Sequence, residues 1–291
     1  MAMIEANGAR LHVDEVGRGH PILFVHELGS DHREWELQVR YFSRSHRCIR
    51  FDARGYPPSE VPEDGEAYGY EHAAEDIGAV MRACGVARAH VVGLSMGAYA
   101  TLQFALRHPE MASAIVVAGV GSGSPPGVHE QWKLEAARMA RRYEELGAVA
   151  MAEEIGHGPT RLQLLRKNPR AWQEFMAHLR EHSVVGMART IARYQGQRPS
   201  LQSFEAQLRR LAVPTLLVVG DEDEPCIETT LFLKRVIPGA GMWMFPRTGH
   251  AVNLEEPDRF HAAVDAFFTE TERGSDRPAG QARPPSTAES R

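Results

Sequence analysis

The stretch Gly93-Leu94-Ser95-Met96-Gly97 places one serine between two glycines, at the junction of two regular segments. The apolar run 89–95 has the length and composition of a buried β-strand, and the run 96–110 has a helical pattern that stops near Pro109. Small residues on both sides let a strand and a helix approach closely around a strained serine, which then stands at the helix N-terminus. This setting predicts a nucleophilic Ser95, with the backbone N–H of Met96 facing a developing oxyanion.

Strands and helices alternate over most of the chain. An Asn7-Gly8 pair between two short alternating runs predicts a hairpin at the start. Further strands are predicted at 21–26, 46–52, 89–95, 112–119, 213–223 and 241–245, and helices at 31–44, 70–84, 96–110, 226–236 and 257–270. Because strands and helices alternate, we predict an α/β fold with a mostly parallel sheet and helices on both faces.

The alternation breaks between residues 122 and 200, where helical segments follow one another with no strand between them. A run of this size is typical of a small inserted subdomain, so we predict a helical cap at 122–200 within a core formed by 1–121 and 201–271. The stretch 272–291 is polar, rich in Pro, Gly and Ser, and without apolar periodicity. We expect it to be a disordered tail.

The composition and charge of the chain limit the kinds of molecule that it is expected to bind. The chain has 291 residues and a net charge of −5, so no excess of basic residues predicts binding to nucleic acid. No apolar run approaches the ~20 residues of a membrane span, and the N-terminus has no signal-peptide core. Three scattered cysteines without a CxxC pair fit reduced thiols in the cytoplasm. We expect a small-molecule substrate and no metal or cofactor; the oligomeric state stays open, a homodimer included.

A nucleophilic serine needs a base, and the base needs a third group that orients it. Two carboxylates, Asp221 and Asp223, follow the late strand, and His250 lies in a Gly-flanked loop after the next strand. Both positions fall at the carboxyl ends of strands, where open α/β sheets bind their ligands. His250 is the candidate base, and either aspartate is a candidate for the orienting acid.

The chain resembles the α/β-hydrolase superfamily over residues 3–270. The resemblance rests on the first hairpin and on five short segments: FVHELG, FDARGYPPS, GLSMG, VVGDEDEP and GHAVNLEEP. It implies the α/β-hydrolase fold, with a mostly parallel eight-stranded sheet, flanking helices and an inserted helical cap. It also implies that Asp223 is the acid, that His26 supports a turn, and that the N–H of Leu28 joins that of Met96 in an oxyanion hole.

The reaction expected from the resemblance is attack of Ser95 on a carbonyl group. Superfamily members that open epoxides or cleave carbon–halogen bonds use an aspartate in place of the serine. An ester, lactone or thioester is the first expectation. C–C bond hydrolysis of dicarbonyl ring-cleavage products is the alternative, since the same triad performs it. Cofactor-free perhydrolysis and non-catalytic ligand reception are further activities of the superfamily that the sequence leaves open.

Glu27 departs from the family pattern, which usually has glycine at this position. We consider three roles for it: a solvent-exposed or arginine-paired side chain, a brace between loops through Arg54, and a carboxylate that borders the pocket. His26 and Tyr56 are further candidate pocket residues. Asp52 and Arg54 are interpreted as residues that pin the FDARG loop. Several cap arginines could bind a substrate carboxylate or simply be solvated: Arg138, Arg141, Arg142, Arg161, Arg166, Arg189 and Arg193.

Overall fold

The computed structural model describes residues 1–275 and contains one eight-stranded sheet with strand order β1-β2-β4-β3-β5-β6-β7-β8. The strands are β1 Ala2–Ala6, β2 Ala9–Val16, β3 Pro21–Val25, β4 Arg47–Phe51, β5 Ala89–Leu94, β6 Ala112–Ala118, β7 Thr215–Gly220 and β8 Gly241–Phe245. β2 is antiparallel to both of its neighbours, and every other pairing is parallel. The predicted α/β fold is therefore confirmed.

Helices cover both faces of this sheet. In chain order the described helices are α1 Glu36–Phe42, α2 Tyr70–Ala83, α3 Met96–Arg107, α4 His129–Gly156, α5 Leu162–Lys167, α6 Pro169–Glu181, α7 Val184–Arg189, α8 Glu205–Leu208, α9 Glu224–Val236, α10 Val252–Glu255 and α11 Pro257–Ser275, of which α4 to α8 lie between β6 and β7. Successive residues of a strand point to opposite faces of the sheet, so β3 contributes side chains to two hydrophobic clusters. Leu23 and Val25 pack in the cluster that contains α2 and α3, whereas Ile22 and Phe24 pack in the cluster that contains α1 and α11.

The predicted elements match the observed ones to within a few residues at most ends; the strand expected at 213–223, for example, is the shorter β7, Thr215–Gly220. The helix expected at 31–44 begins as a 3₁₀ turn, His32–Trp35, and continues as α1 only to Phe42. The side chain of Asp31 caps that turn by accepting from the N–H of Arg33, which fixes where it begins. The last helix continues to Ser275, beyond the expected end at 270, so it includes the first residues of the expected tail. The rest of the expected tail lies outside the described residues.

A helical segment connects β6 to β7 and lies over the carboxyl ends of the strands. It runs from α4 to a π-helical turn, Thr190–Gln195, that continues α7. Tyr194 in that turn donates a hydrogen bond of 2.7 Å to the carbonyl of Met96, at the start of α3. The segment therefore contacts the sheet core directly beside Ser95. In the part of the chain described, no helix is both long and apolar enough to span a bilayer.

Candidate active site

Ser95 occupies a strained turn between β5 and α3. Its φ of 52° and ψ of −109° lie outside the regions that ordinary L-residues prefer. The turn is possible because Gly97 has no side chain: a Cβ there would lie 2.1 Å from the carbonyl oxygen of Val25 and 2.6 Å from that of His26. Helix α3 therefore starts against the end of β3. The serine is partly exposed, and it borders the cleft described below.

His250 and Asp223 form a buried hydrogen-bonded pair. The Nδ1 atom of His250 lies 2.8 Å from Oδ2 of Asp223. The loops that carry the two residues can approach closely because Gly220 has no side chain. A Cβ atom at position 220 would lie 2.1 Å from the carbonyl oxygen of Thr248, so only glycine fits there. Asp221 has a structural role in the turn: its carboxylate accepts a hydrogen bond from the backbone N–H of Thr248.

The environment of His250 favours its charged form. Burial alone would lower the pKa of His250, but the charge of Asp223 and its hydrogen bond raise the pKa well above the usual range. The histidine is thus oriented through Nδ1, which leaves Nε2 to exchange a proton with a reacting group. Ser95 Oγ has no hydrogen-bond partner among the described residues, and it borders the same cleft as His250.

A buried carboxylate holds the backbone on both sides of His250. Glu255, in the short helix α10, accepts the N–H of Gly249 at 2.6 Å and the N–H of Ala251 at 3.2 Å. Burial raises the pKa of Glu255, while the two hydrogen bonds and nearby cations oppose this. Glu255 therefore restrains the main chain of the loop that carries the candidate base.

The two predicted oxyanion donors are both available. Within residues 1–275, no described group accepts the backbone N–H of Leu28 or of Met96. Leu28 borders the cleft beside Ser95, and Met96 directly follows the serine at the first position of α3. Two free N–H groups next to a candidate nucleophile are the usual construction for binding the oxygen of a tetrahedral intermediate.

Glu27 lies inside the site. Its side chain is buried, and its Oε2 atom lies 2.6 Å from Nη2 of Arg161 and 3.5 Å from Nε2 of His250. The solvent-exposed role considered for Glu27 is therefore wrong. The brace through Arg54 is also wrong, because Arg54 pairs with Asp76 at 2.6 Å. Glu27 borders the cleft as an arginine-paired carboxylate.

A second buried carboxylate supports the Glu27 turn. Glu34 accepts the backbone N–H of Glu27 at 3.1 Å. Burial raises the pKa of Glu34 well above its usual value, and the nearby charge of Glu27 raises it further. The raised pKa of Glu34 reflects repulsion between two adjacent buried carboxylates, and Arg161 is the ion-pair partner of Glu27.

These residues surround a cleft of about 360 Å³ beneath the helical segment. The candidate catalytic groups Ser95 and His250 border it together with residues from the Glu27 turn, the β6–α4 connection and the helical segment: Glu27, Leu28, Ser122, Gly123, Trp132, Glu135, Met139, Ile155, Thr160, Arg161, Gln195, Arg198 and Pro225. His26 and Tyr56 line a separate cavity of about 30 Å³. That cavity has room for about one water molecule, so these two residues are placed outside the cleft.

His26 instead stabilises the turn. Its Nδ1 lies 2.8 Å from the carbonyl of Glu27, and its Nε2 accepts the N–H of Ala53 at 3.0 Å. Asp52 and Arg54 pin the neighbouring loop, as predicted: Asp52 accepts the N–H of His32, and Arg54 donates to the carbonyl of Ala67.

Two clusters of described residues bring metal-ligating atoms within 4.8 Å of one another: His12, His32 and Asp52, and Asp223, Cys226 and His250. In the first cluster, both histidines direct Nδ1 at the Asp52 carboxylate at 2.8 Å. In the second, burial raises the pKa of the Cys226 thiol, which donates to the carbonyl of Gly119. A protonated thiol is a poor metal ligand, so the second cluster fits a hydrogen-bonded network better than a metal site.

A strained serine, a buried histidine–aspartate pair and two free amides at the carboxyl edge of this sheet define the class of α/β proteins that carry a nucleophile on a strand–turn–helix elbow. The model of the alpha/beta hydrolase family matches residues 22–263. The chain therefore belongs to the alpha/beta hydrolase family.

Individual relatives cover nearly the whole chain. A 2-hydroxymuconate semialdehyde hydrolase of Pseudomonas putida is 28% identical over 279 residues, which is 92% of this chain and 94% of that protein. Among solved structures, a thermophilic esterase from Thermogutta terrifontis has a TM-score of 0.83 at 22% identity and covers 93% of this chain and 99% of its own. The enol-lactonase from Burkholderia xenovorans has a TM-score of 0.80 at 23% identity, covering 92% and 100%. At these identities the two structures show the shared fold.

Proposed function

We propose that the protein is a serine hydrolase that cleaves a small carbonyl substrate, with an ester, lactone or thioester as the first candidate. The observation that carries this proposal is the shared cleft of Ser95 and His250, in which the histidine is held by Asp223 at 2.8 Å. Ser95 is the proposed nucleophile, His250 the proposed base, and Asp223 the residue that orients it. The N–H groups of Leu28 and Met96 form the proposed oxyanion hole.

The chemistry follows from these positions. Ser95 Oγ attacks the substrate carbonyl while Nε2 of His250 takes its proton, and the carbonyl oxygen becomes an anion facing the two amides. Collapse of this intermediate breaks the bond to the leaving group, which receives the proton from His250. A water then loses a proton to His250 and attacks the acyl-enzyme. The acid product leaves, and Ser95 regains its proton.

C–C bond hydrolysis is the second candidate, and the relatives favour it specifically. Besides the relative from Pseudomonas putida described above, a 2-hydroxy-6-oxo-6-phenylhexa-2,4-dienoate hydrolase of Burkholderia cepacia is 24% identical over 280 residues. In this reaction the bond broken joins the attacked carbonyl to carbon, so the carbon leaving group takes the proton. The same serine and histidine are required, and the cleft decides which substrate fits.

We also propose that the helical segment at 122–200 is a cap that closes the cleft. Support comes from Trp132, Arg161 and Gln195, which all border the cleft that Ser95 borders. The three cysteines are unpaired among the described residues, which supports a reducing cytoplasmic location.

Covalent labelling tests the proposal directly. We expect a fluorophosphonate probe to label the wild-type protein and p-nitrophenyl acetate to give a burst of p-nitrophenol, since an acyl-enzyme accumulates in such sites. Both signals should disappear in Ser95→Ala and persist in Ser203→Ala, a matched change of an exposed serine. A wild-type protein that neither reacts with the probe nor turns over any ester or vinylogous dicarbonyl in a panel would contradict the proposal, and would favour ligand reception.

A further inference from the structure

Arg198 is a buried cation without a carboxylate partner. Four arginines in the described part of the chain are buried: Arg50, Arg54, Arg161 and Arg198. The first three form ion pairs, with Asp14 at 2.8 Å, Asp76 at 2.6 Å and Glu27 at 2.6 Å respectively. Arg198 forms none with any residue of 1–275, although its side chain is equally inaccessible. A buried charge is unfavourable unless something pairs with it, so this exception needs an explanation.

The contacts of Arg198 hold the guanidinium in place without neutralising it. Nη2 donates a hydrogen bond of 2.8 Å to the carbonyl of Ser122. The group also lies over two aromatic rings, 5.0 Å from the centroid of Tyr99 and 5.4 Å from that of Trp132. Ring faces attract a cation but carry no net charge. Since a guanidinium has five N–H donors, one hydrogen bond leaves four for another partner.

Arg198 borders the same cleft as Ser95 and His250. Apart from Glu135, the other ionisable residues that border the cleft have ion-pair partners: Glu27 pairs with Arg161, and His250 pairs with Asp223. Glu135 is exposed and accepts a hydrogen bond from Gln131 at 2.9 Å, and within residues 1–275 it forms no ion pair with Arg198 or another cation. Arg198 is therefore the cation of the cleft that lacks an anion.

We propose that Arg198 binds a carboxylate of the substrate, so that the substrate is a small carbonyl compound carrying one negative charge away from the reacting carbonyl. This inference rests on the proposed function and names its substrate class. One unpaired guanidinium matches one carboxylate in charge and in its planar, two-pronged hydrogen bonding. Burial, which lowers the pKa of Arg198, adds support, because a bound anion would remove the unfavourable isolation of the charge.

Binding to a catalytically inactive protein tests this without requiring turnover. We would measure the affinity of Ser95→Ala for monoethyl glutarate, a monoanion at neutral pH, and for neutral diethyl glutarate. We expect the anion to bind about tenfold or more tightly than the diester, since hydrogen bonds to charged groups contribute that much. Adding Arg198→Gln should remove this preference, and Arg198→Lys should restore part of it. Arg170→Gln, an 88% exposed arginine on α6, is the matched control and should preserve it.

The outcomes separate the two proposals. Equal affinity of Ser95→Ala for the two probes would overturn the carboxylate site, and this comparison holds even if Arg198→Gln does not fold. A preference that survives in a folded Arg198→Gln, verified by circular dichroism, would also overturn it. A clear preference in a wild-type protein that hydrolyses nothing would contradict the proposed hydrolase activity while leaving Arg198 as an anion site.

Discussion

The carboxylate of Glu27 and the guanidinium of Arg161 meet at 2.6 Å, and both side chains are buried. This ion pair joins the turn after β3, which offers the amide of Leu28, to the helical segment above the cleft. The aromatic ring of Phe175 lies 4.7 Å from the same guanidinium. The pair therefore connects the geometry of the proposed oxyanion hole to the position of the proposed cap.

We expect removal of either partner to destabilise the fold. Arg161→Met leaves the Glu27 carboxylate buried without a counter-charge, and Glu27→Gln leaves the guanidinium in the same state; each should lower the free energy of unfolding by about 3 kcal/mol. The double variant should lose less than the sum of the two, since it leaves no uncompensated charge. Urea unfolding at pH 7 measures the cycle. Arg170→Gln, whose ion pair is exposed, is the control, and additive losses would show that the two side chains do not interact.

The proximity of Glu27 to His250 predicts a shift in the pH profile. His250 must be neutral to accept the proton of Ser95, and its pKa is raised, so kcat/KM of the wild type should rise with pH through a midpoint above about 6.5. Glu27→Gln removes an anion 3.5 Å from Nε2 and leaves Arg161 uncompensated. Both changes disfavour the imidazolium, so the midpoint should move to lower pH.

Arg161→Gln should move the same midpoint in the opposite direction, because the negative charge of Glu27 then acts on His250 without compensation. The measurement is kcat/KM for one ester between pH 5 and about 9, with each variant checked for folding. Identical midpoints in all three proteins would show that Glu27 does not influence proton transfer.

The elements of the fold could be predicted because they depend on local patterns. The apolar run before Ser95 and the flanking glycines specify β5, the elbow and α3 together, and the observed bounds differ from the predicted ones by at most a few residues. His250 and the two aspartates, Asp221 and Asp223, could be placed because they follow strands of a parallel sheet, whose carboxyl ends share one edge. The choice of Asp223 between the two rested on the resemblance to the superfamily.

The partners of Glu27 could not be predicted in this way. Arg161 lies 134 residues away, in a helical segment whose packing on the sheet is set by tertiary contacts. Seven cap arginines looked alike in the sequence, and of these only Arg161 borders the cleft in the described structure. Arg198 was not a candidate in the sequence, because the absence of a nearby carboxylate is a property of the folded cleft and not of any local sequence pattern. Glu255 was not a candidate in the sequence, where it is one of two adjacent glutamates, although the fold buries it.

The packing of the turn around Ser95 predicts that replacement by alanine has a large effect at Gly97 and little effect at Gly127. Gly97→Ala would place a methyl group 2.1 Å from the carbonyl of Val25, so α3 must move away from β3 and separate Met96 from Leu28. We expect kcat/KM to fall about 100-fold or more, as when an oxyanion donor is lost, together with reduced thermal stability. Gly127→Ala is the control, because a Cβ there meets nothing within 4 Å. Equal activity of the two variants would contradict the proposed packing of the elbow.

The two hydrogen bonds from the His250 loop to Glu255 predict that this carboxylate helps to position the histidine. Glu255→Gln retains one acceptor oxygen but replaces the other by an amide that cannot accept the second N–H, so either Gly249 or Ala251 loses its partner. The histidine should then sample more orientations. We expect kcat to fall about tenfold with KM nearly unchanged, because a misplaced base slows proton transfer and leaves substrate contacts intact. Glu270→Gln, a change of an exposed carboxylate on α11, should change neither constant. A Glu255→Gln enzyme whose kcat stays at the wild-type value would show that α10 and the remaining backbone hold His250 without this carboxylate.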